Sequence, residues 1–312
     1  MSPPLPLRPT LRPAQPRDIP AITTLILTSF RHFPLFDFLY APLRDNVEYA
    51  RDTVFFWSRR VRAAVYDRAS TVVVAEVPLG SLGLAGEGQE EGEGAVSWRM
   101  LAWTEGEAGL SQVVDGGGGG AGGASMVVVG FAIWRWKGKG ALAPRDTTTH
   151  SAAYTATLHR AKKIFTELET RVYGKIQARK DQHARRYAAY LESEKELAQK
   201  PYKLTPPPYL HLDNLCVDFR LHRRGIGRLL VEQGIALAQA AWLPIQTEAS
   251  PAGAAFYHKL GFQQLDEWIV PDPDPDPDPG PGPDPDPGQG PGHGHGVRLV
   301  VLKLDTDTVS NA

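Results

Sequence analysis

The sequence predicts an α/β fold, a β-sheet flanked by helices, and two observations carry the prediction. From Tyr209 to residue 270, segments with strand alternation and segments with helical periodicity follow one another. Earlier in the chain, two runs rich in β-branched residues, at 70–77 and 126–138, predict a pair of strands joined by an overgrown loop. Such a chain buries its apolar surface by packing helices on a sheet.

Each element follows from its local pattern. The first strand is LRPAQ at 11–15, and two helices are predicted at 19–30 and 44–65. The later elements are a strand at 209–217, a helix at 227–242, a strand at 244–250, a helix at 252–261, a strand at 262–270 and a strand at 297–305. The predicted order is therefore strand, two helices, three strands, helix, strand, helix and two strands.

Three segments interrupt this order and are predicted to be insertions. Residues 78–125 are rich in Gly and Glu, and residues 271–296 form a Pro, Asp and Gly tract that cannot bury a core and should be disordered. Residues 139–208 include a charged, partly helical stretch at 151–199. In the simpler interpretation these helices pack on the main domain. In the alternative their basic face docks an acidic partner or nucleic acid.

Composition limits the class of protein. The 312 residues are 42% hydrophobic, enough for a core, and the formal net charge of −1 provides no overall field to attract nucleic acid or an anionic membrane. The single cysteine, Cys216, excludes an internal disulfide, and no apolar run is long enough to span a bilayer. We therefore expect a cytoplasmic protein, with the nucleus as an alternative, that binds neither nucleic acid nor membrane.

A basic, glycine-containing turn lies between a strand and a helix in LCVDFRLHRRGIGRLL, at 215–230. Unpaired backbone N–H groups at a helix start, together with the helix dipole, favour an anion such as phosphate. The spacing is not that of a dinucleotide fold, because Leu230 stands where the third glycine would be. We expect no metal, since His293 and His295 lie in the low-complexity tract and make a poor site there.

Together with EASPAGAAFYHKLGF at 248–262, this turn resembles the acetyl-CoA signature of the GNAT superfamily of N-acetyltransferases. The resemblance implies a central sheet that is mixed and mostly antiparallel and is flanked by helices. It also implies one acetyltransferase domain over 9–306 that carries the three insertions, with flexible tails at 1–8 and 307–312.

The resemblance implies acetyl-CoA as the co-substrate. Backbone amides from Arg223 to Arg228 would bind the pyrophosphate, and the glycines of the turn would allow its close approach. The strand before the turn would pair with the pantetheine arm. The expected cofactor-binding residues are Leu215, Cys216, Val217, His222, Arg223, Arg224, Gly225, Ile226, Gly227, Arg228 and Ser250. Among them, His222 departs from the Gln or Arg of the family pattern.

Strand alternation predicts that His211 and Asp213 point together into the cleft, with Leu215 and Val217 on the same face. His211 is expected to be the general base, because its ordinary pKa of about 6.5 suits neutral pH. A water relay through Asp213 is the alternative base. The resemblance assigns Tyr257 as the acid that protonates the leaving thiolate. A structural histidine and a merely packed tyrosine are the alternatives.

The expected reaction is direct transfer of acetyl to a primary amine of a small molecule or a peptide, by a monomer or a homodimer. The aromatic stretch FRHFPLFDFLY at 30–40 and the last hairpin are expected to form the acceptor pocket, but they do not distinguish a peptide amine from a polyamine, an amino sugar or an arylamine. Nucleophilic catalysis by Cys216 is disfavoured, because the sequence shows no activating group for it. The alternative function is a noncatalytic acyl-CoA-binding regulatory module.

Overall fold

The computed structural model describes residues 8–30, 33–40, 47–78, 81, 126–138, 184–199, 207–274 and 296–306. Nearly all of the predicted insertion at 78–125 lies outside the described residues. So do most of the Pro-Asp-Gly tract, the part of the helical insertion before residue 184, and all but one residue of the predicted tails.

The elements follow the predicted order. The strands are β1 (Thr10–Pro13), β2 (Ser70–Pro78), β3 (Met126–Lys137), β4 (Tyr209–Val217), β5 (Ile245–Ala249), β6 (Gln263–Val270) and β7 (Val297–Leu304). The helices are α1 (Ile19–Ser29), α2 (Pro34–Tyr40), α3 (Val47–Tyr66), α4 (Ala184–Ala198), α5 (Ile226–Ala240) and α6 (Pro251–His258). Helix α2 is not predicted as a separate element. Within the described ranges, no helix combines the length and the apolar character needed to cross a bilayer.

The seven strands of the described chain form one sheet in the order β1-β2-β3-β4-β5-β7-β6. Strands β4 and β5 pair in parallel, and every other neighbouring pair is antiparallel. The prediction of a mixed, mostly antiparallel sheet flanked by helices is therefore confirmed.

The parallel pairing between β4 and β5 is short. It extends from Leu210 to Leu212 on β4, opposite Ile245 to Thr247 on β5. Beyond Leu212, β4 continues to Val217 with β3 as its strand partner. The second edge of this part of β4 therefore has no strand neighbour in the described chain, and the sheet opens between β4 and β5.

Three apolar clusters hold the layers together. The first core cluster lies under α5 and α6 and includes Trp134, Leu210, Leu230, Ile235 and Leu302. The second lies under α1 and α3 on the other face of the sheet and includes Ile22, Ile26, Val61, Val74 and Phe131. The third lies under α2 and α4 on that same face and includes Phe38, Leu39, Trp268, Leu299 and Val301.

Helix α4 is the described part of the charged insertion, and it packs on the third core cluster. Trp268 Nε1 donates to Ser193 Oγ at 3.2 Å. Arg186 donates twice to the carboxylate of Asp272, at 3.1 and 2.9 Å, and its guanidinium lies 5.0 Å from the centre of the Phe38 ring. The simpler interpretation, in which the insertion packs on the main domain, therefore holds for this helix.

Gly234 on α5 lies against the fully buried side chain of Trp134. A Cβ atom at position 234 would lie only 1.9 Å from Trp134 Cζ2. We expect Gly234→Ala to lower the free energy of unfolding by about 3 kcal/mol, because overpacking a core displaces buried rings. Urea unfolding followed by tryptophan fluorescence measures the loss.

Gly227→Ala is the matched control on the same helix. Its Cβ atom would meet Val217 and Phe256 at the ordinary contact distances of 3.7 and 3.8 Å, so we expect no loss of stability. Equal midpoints for the two variants would show that α5 does not pack on Trp134 as described.

Candidate active site

The turn between β4 and α5 is shaped by two residues in the left-handed region. Arg223 has φ 64° and Gly225 has φ 82°, and α5 begins at the next residue, Ile226. Before them, the carboxylate of Asp218 accepts the backbone N–H of Arg220 at 3.0 Å and starts a short 3-10 helix. A glycine at 225 carries no conformational penalty for this backbone, which other residues rarely adopt.

The backbone N–H groups of the turn lack partners. The first hydrogen bond of α5 runs from Leu229 N–H to the Gly225 carbonyl, at 3.1 Å. In the described part of the chain, the N–H groups of residues 223–228 donate to no backbone carbonyl. Six unpaired amides at the positive end of a 15-residue helix form a favourable environment for a phosphate.

The side chains of the turn differ in their roles. Arg223 and Arg224 are exposed, whereas Arg228 forms an ion pair on the helix surface with Glu232, at 2.6 Å. Ile226 is buried in the first core cluster, so only its backbone reaches the turn. We therefore expect charge-assisted contacts with an anion to come mainly from the first two arginines.

The carbonyl of Val217 faces the opening rather than β3. It accepts a hydrogen bond from Ser29 Oγ at 3.2 Å and another from His222 Nε2 at 3.0 Å. His222, the residue that departs from the family pattern, thus binds the strand segment that was predicted to pair with pantetheine.

Cys216 points away from the opening into the second core cluster. Its Sγ–H donates to the Leu25 carbonyl at 3.3 Å, and burial raises the pKa of the thiol to about 12. A thiol in this environment is not a nucleophile at neutral pH, so only the backbone of Cys216 remains a candidate for cofactor binding.

A β-bulge on β4 corrects one prediction. Leu212 pairs with Trp134 and Asn214 with Ile133, so Asp213 is an extra residue without a partner on β3. Because the bulge reverses the alternation, Leu215 and Val217 pack on the first core cluster, as Leu210 and Leu212 do.

The prediction that all four odd-numbered residues from 211 to 217 share a face is therefore wrong. His211 and Asp213 are together, as expected, but on the face opposite to Leu215 and Val217.

The structure joins His211 and Asp213 to a network that spans three strands. His211 Nδ1 contacts Asp213 Oδ1 at 2.6 Å, and His211 Nε2 contacts Glu248 Oε2 on β5 at 2.8 Å. Arg135 on β3 contacts the second oxygen of Asp213 at 2.7 Å, and the amide of Gln246 donates to Glu248 at 3.1 Å. The side chains of His211, Asp213 and Glu248 are 14 to 18% exposed, so the network is mostly but not fully shielded from water.

The network changes the protonation of its members. Burial alone would lower the pKa of His211, but the charges and hydrogen bonds of Glu248 and Asp213 outweigh it and raise this pKa to about 9. Burial would raise the pKa of both carboxyl groups, yet contact with His211 holds both below their usual values. At neutral pH the site therefore contains an imidazolium between two carboxylates, and the ordinary pKa expected for His211 is wrong.

Tyr257 approaches the opening from the other face of the sheet. It is buried in the first core cluster, with its ring centre 5.1 Å from that of Phe256 and 5.4 Å from that of Phe262. Burial raises the pKa of its phenol, which hydrogen-bonds the side chain of Thr247. Since Thr247 and Glu248 are consecutive on β5, Tyr257 and His211 flank the same strand from opposite sides.

Ser250 accepts the backbone N–H of Gly253 at 3.1 Å and so caps the N-terminus of α6. Its expected contact with a cofactor stays a prediction, as do the catalytic roles of His211, Asp213 and Tyr257. Among the described residues, no group of three or more His, Cys, Asp or Glu side chains has an arrangement that holds a metal ion.

Two tyrosines lie beside the network. The ring centre of Tyr209 lies 6.3 Å from that of His211, and Tyr190 on α4 lies within electrostatic range of Glu248. Tyr190 packs on the third core cluster with its ring centre 5.5 Å from that of Trp268, and Phe36 on α2 packs on the same cluster. The place of the aromatic stretch at 30–40 in an acceptor pocket stays a prediction.

The catalytic residues predicted from the sequence included neither Arg135 nor Glu248. A signal for Arg135 was present, since it is a charged residue inside the otherwise apolar run MVVVGFAIWRWK. Its pairing with Asp213 depends on the register of β3 against β4, which the sequence does not specify.

Comparison with known proteins points to one family. Residues 160–264 match the sequence model of the acetyltransferase (GNAT) domain, which confirms the predicted resemblance. The match begins within the predicted insertion at 139–208 and includes the turn, the polar residues of β4 and β5, and Tyr257.

Over 48 residues the chain is 40% identical to the probable acyltransferase SID5 of Ajellomyces capsulatus, a stretch that is 15% of this chain and 35% of that protein. Two solved structures are similar across their length. The polyamine N-acetyltransferase of Drosophila melanogaster is 14% identical, with 96% of this chain and 100% of that chain covered and a TM-score of 0.45. An acetyltransferase related to histone acetyltransferase HPA2 from Corynebacterium glutamicum is 16% identical, with 95% and 94% covered and a TM-score of 0.44.

The burial of Cys216 yields a test of the acyl-cysteine alternative. Because the thiol is buried and its pKa is raised to about 12, we expect the folded protein to remain unmodified by iodoacetamide at pH 8. The same reagent should alkylate the protein once in denaturant, since the chain has one cysteine. Intact-protein mass spectrometry measures both, and rapid alkylation of the native state would revive Cys216 as a nucleophile.

Proposed function

Because residues 160–264 match the acetyltransferase (GNAT) domain, we propose that the protein transfers acetyl from acetyl-CoA directly to a primary amine. The observation that carries the proposal is the turn at 223–228, whose unpaired amides lie at the start of α5, beside the opening between β4 and β5. A phosphate group at the turn and an extended arm along the unpaired edge of β4 together match the shape of coenzyme A.

Each part of the turn has a role in this proposal. The amides of residues 223–228 bind the pyrophosphate, and Arg223 and Arg224 add charge. The backbone of residues 215–217 pairs with the pantetheine arm. At the Val217 carbonyl, an amide N–H of pantetheine takes the place of the His222 side chain.

The polar network supplies the proton acceptor. As the amine nitrogen bonds to the acetyl carbon, the bond between that carbon and sulfur breaks, and the amine gives up a proton. His211 in its neutral form accepts that proton, and Glu248 and Asp213 stabilise the resulting imidazolium. Tyr257 donates a proton to the departing thiolate. The raised pKa of its phenol keeps it protonated at the pH at which His211 is neutral.

The surroundings of the network favour an acceptor with one amine and a flat apolar body. Tyr209 and Tyr190 provide aromatic surface beside His211 and Glu248, and Phe36 packs on the same third core cluster as Tyr190. The charges of the network are balanced at neutral pH, since Arg135 and His211 offset the two carboxylates. A polyamine would gain little from a balanced site, whereas the apolar part of an arylalkyl or alkyl amine gains from the aromatic surface.

Calorimetric titration with acetyl-CoA tests the proposal, with adenosine 3′,5′-bisphosphate and NAD as comparison ligands. We expect acetyl-CoA to bind with a Kd of about micromolar order and NAD not to bind. Arg223→Gln and Arg224→Gln should each weaken binding by about tenfold, because each removes a charge-assisted contact to phosphate. Arg228→Gln is the control and should weaken binding less, since Arg228 is already paired with Glu232.

Failure of the folded protein to bind acetyl-CoA would refute the proposal. Binding without turnover of a panel of aryl, alkyl and polyamine acceptors would instead support the noncatalytic alternative, an acyl-CoA-binding module.

The raised pKa of His211 predicts an alkaline dependence of turnover. Since the neutral imidazole is the active form, kcat should rise with pH and reach half of its maximum at about pH 9, where half of the His211 side chains have lost their proton. Glu248→Gln removes a carboxylate that raises this pKa, so the rising limb of kcat should move to lower pH. The acceptor is the same in both proteins, so its own ionisation cannot cause the shift. If the rising limb of kcat does not move in Glu248→Gln, His211 is not the base. If this variant loses all activity, Glu248 is itself the base.

A further inference from the structure

Arg135 occupies a specific place next to the proton acceptor. In the ladder between β3 and β4 it lies directly opposite His211. The bulge at Asp213 places the carboxylate of that residue between the two side chains. One oxygen contacts His211 Nδ1 at 2.6 Å and the other contacts Arg135 Nη2 at 2.7 Å. One carboxylate therefore holds two cations.

The opposite side of the imidazole has a different partner. Glu248 contacts Nε2 at 2.8 Å, and its second oxygen accepts from the neutral amide of Gln246. Among the described side chains, no arginine or lysine pairs with Glu248. The two carboxylates around His211 are thus unequal, because the Asp213 charge is shared with a guanidinium and the Glu248 charge is not.

We propose that Arg135 is a positioning residue that holds Asp213 against Nδ1 of His211 and shares its charge, which makes the imidazole easier to convert to its neutral, proton-accepting form. The inference rests on the proposed transferase function. Arg135 exchanges no proton itself, because a guanidinium stays charged throughout the working range of pH. Its effect on the reaction is through the orientation and the charge of Asp213.

The charges around His211 give the direction in which its pKa should move when Arg135 is replaced. Several groups act on the imidazole and its two carboxylates. They are Asp213 and Tyr209 on β4, Glu248 and Gln246 on β5, Arg135 and Lys137 on β3, Tyr190 on α4 and Tyr257 on α6. Removing the guanidinium leaves the full charge of Asp213 to act on His211. The imidazolium is then more stable, and the pKa of His211 rises.

Nuclear magnetic resonance titration of the His211 ring nitrogens, in the full-length protein without ligands, measures this directly. We expect Arg135→Gln to raise the pKa of His211 by about one unit and to shift the rising limb of kcat to higher pH by the same amount. Arg135→Lys keeps the positive charge, so its His211 pKa and its rising limb of kcat should lie close to those of the wild type. A purely structural contact would lower the thermal midpoint without moving the titration.

A double-mutant cycle with Asp213→Asn tests whether the effect passes through Asp213. In the Asp213→Asn background we expect Arg135→Gln to leave the His211 titration unchanged. Circular dichroism of each variant checks folding, and Arg135→Met, which also removes the charge, takes the place of Arg135→Gln if the latter does not fold.

The two proposals fail in different ways. An unshifted His211 pKa in folded Arg135→Gln, or an equal shift in the Asp213→Asn background, would overturn the role of Arg135. If the wild type shows no turnover but the His211 titration shifts as expected, the transferase function is overturned. The effect of Arg135 on His211 through Asp213 is then still established.

Discussion

The early end of the pairing between β4 and β5 is the constraint on which the site depends. Beyond Leu212 the second edge of β4 has no strand neighbour among the described residues, while β3 continues to hold the first edge in place. A rigid strand with one unpaired edge can bind an extended molecule by backbone hydrogen bonds at little cost in ordering. The turn at 223–228 follows the end of that edge. A phosphate bound at the turn would therefore be in line with an extended molecule bound along the edge.

The same opening brings together groups from both faces of the sheet. Glu248 and Thr247 are neighbours on β5, and they contact His211 on one face and Tyr257 on the other. In the proposed reaction, the strand thereby keeps the proton acceptor apart from the proton donor, and neither neutralises the other. Their pKa values are both raised, but for different reasons, since charge raises that of His211 and burial raises that of Tyr257.

Local signals were sufficient to predict most of the fold. Strand β4 occupies residues 209–217 as predicted, and the turn was recognised from its glycines and arginines, because such signals depend only on neighbouring residues. The bulge at Asp213 depends on how β3 and β4 align, so alternation placed Leu215 and Val217 on the wrong face. The pairing of Arg135 and the raised pKa of His211 depend on contacts between three strands, which a single sequence does not encode in its spacing.

In the described chain, helix α4 packs on the outer strands of the sheet and on α2. Trp268 on β6, Asp272 just after β6 and Phe38 on α2 contact it, and none of its described residues belongs to the first core cluster beneath the turn at 223–228. Through Tyr190, which lies within electrostatic range of Glu248, amino-acid changes along α4 act on the polar network and leave the residues of the turn in place. In the proposed enzyme, α4 would be a surface on which the preference for an amine can change while the residues that bind the acyl donor stay the same.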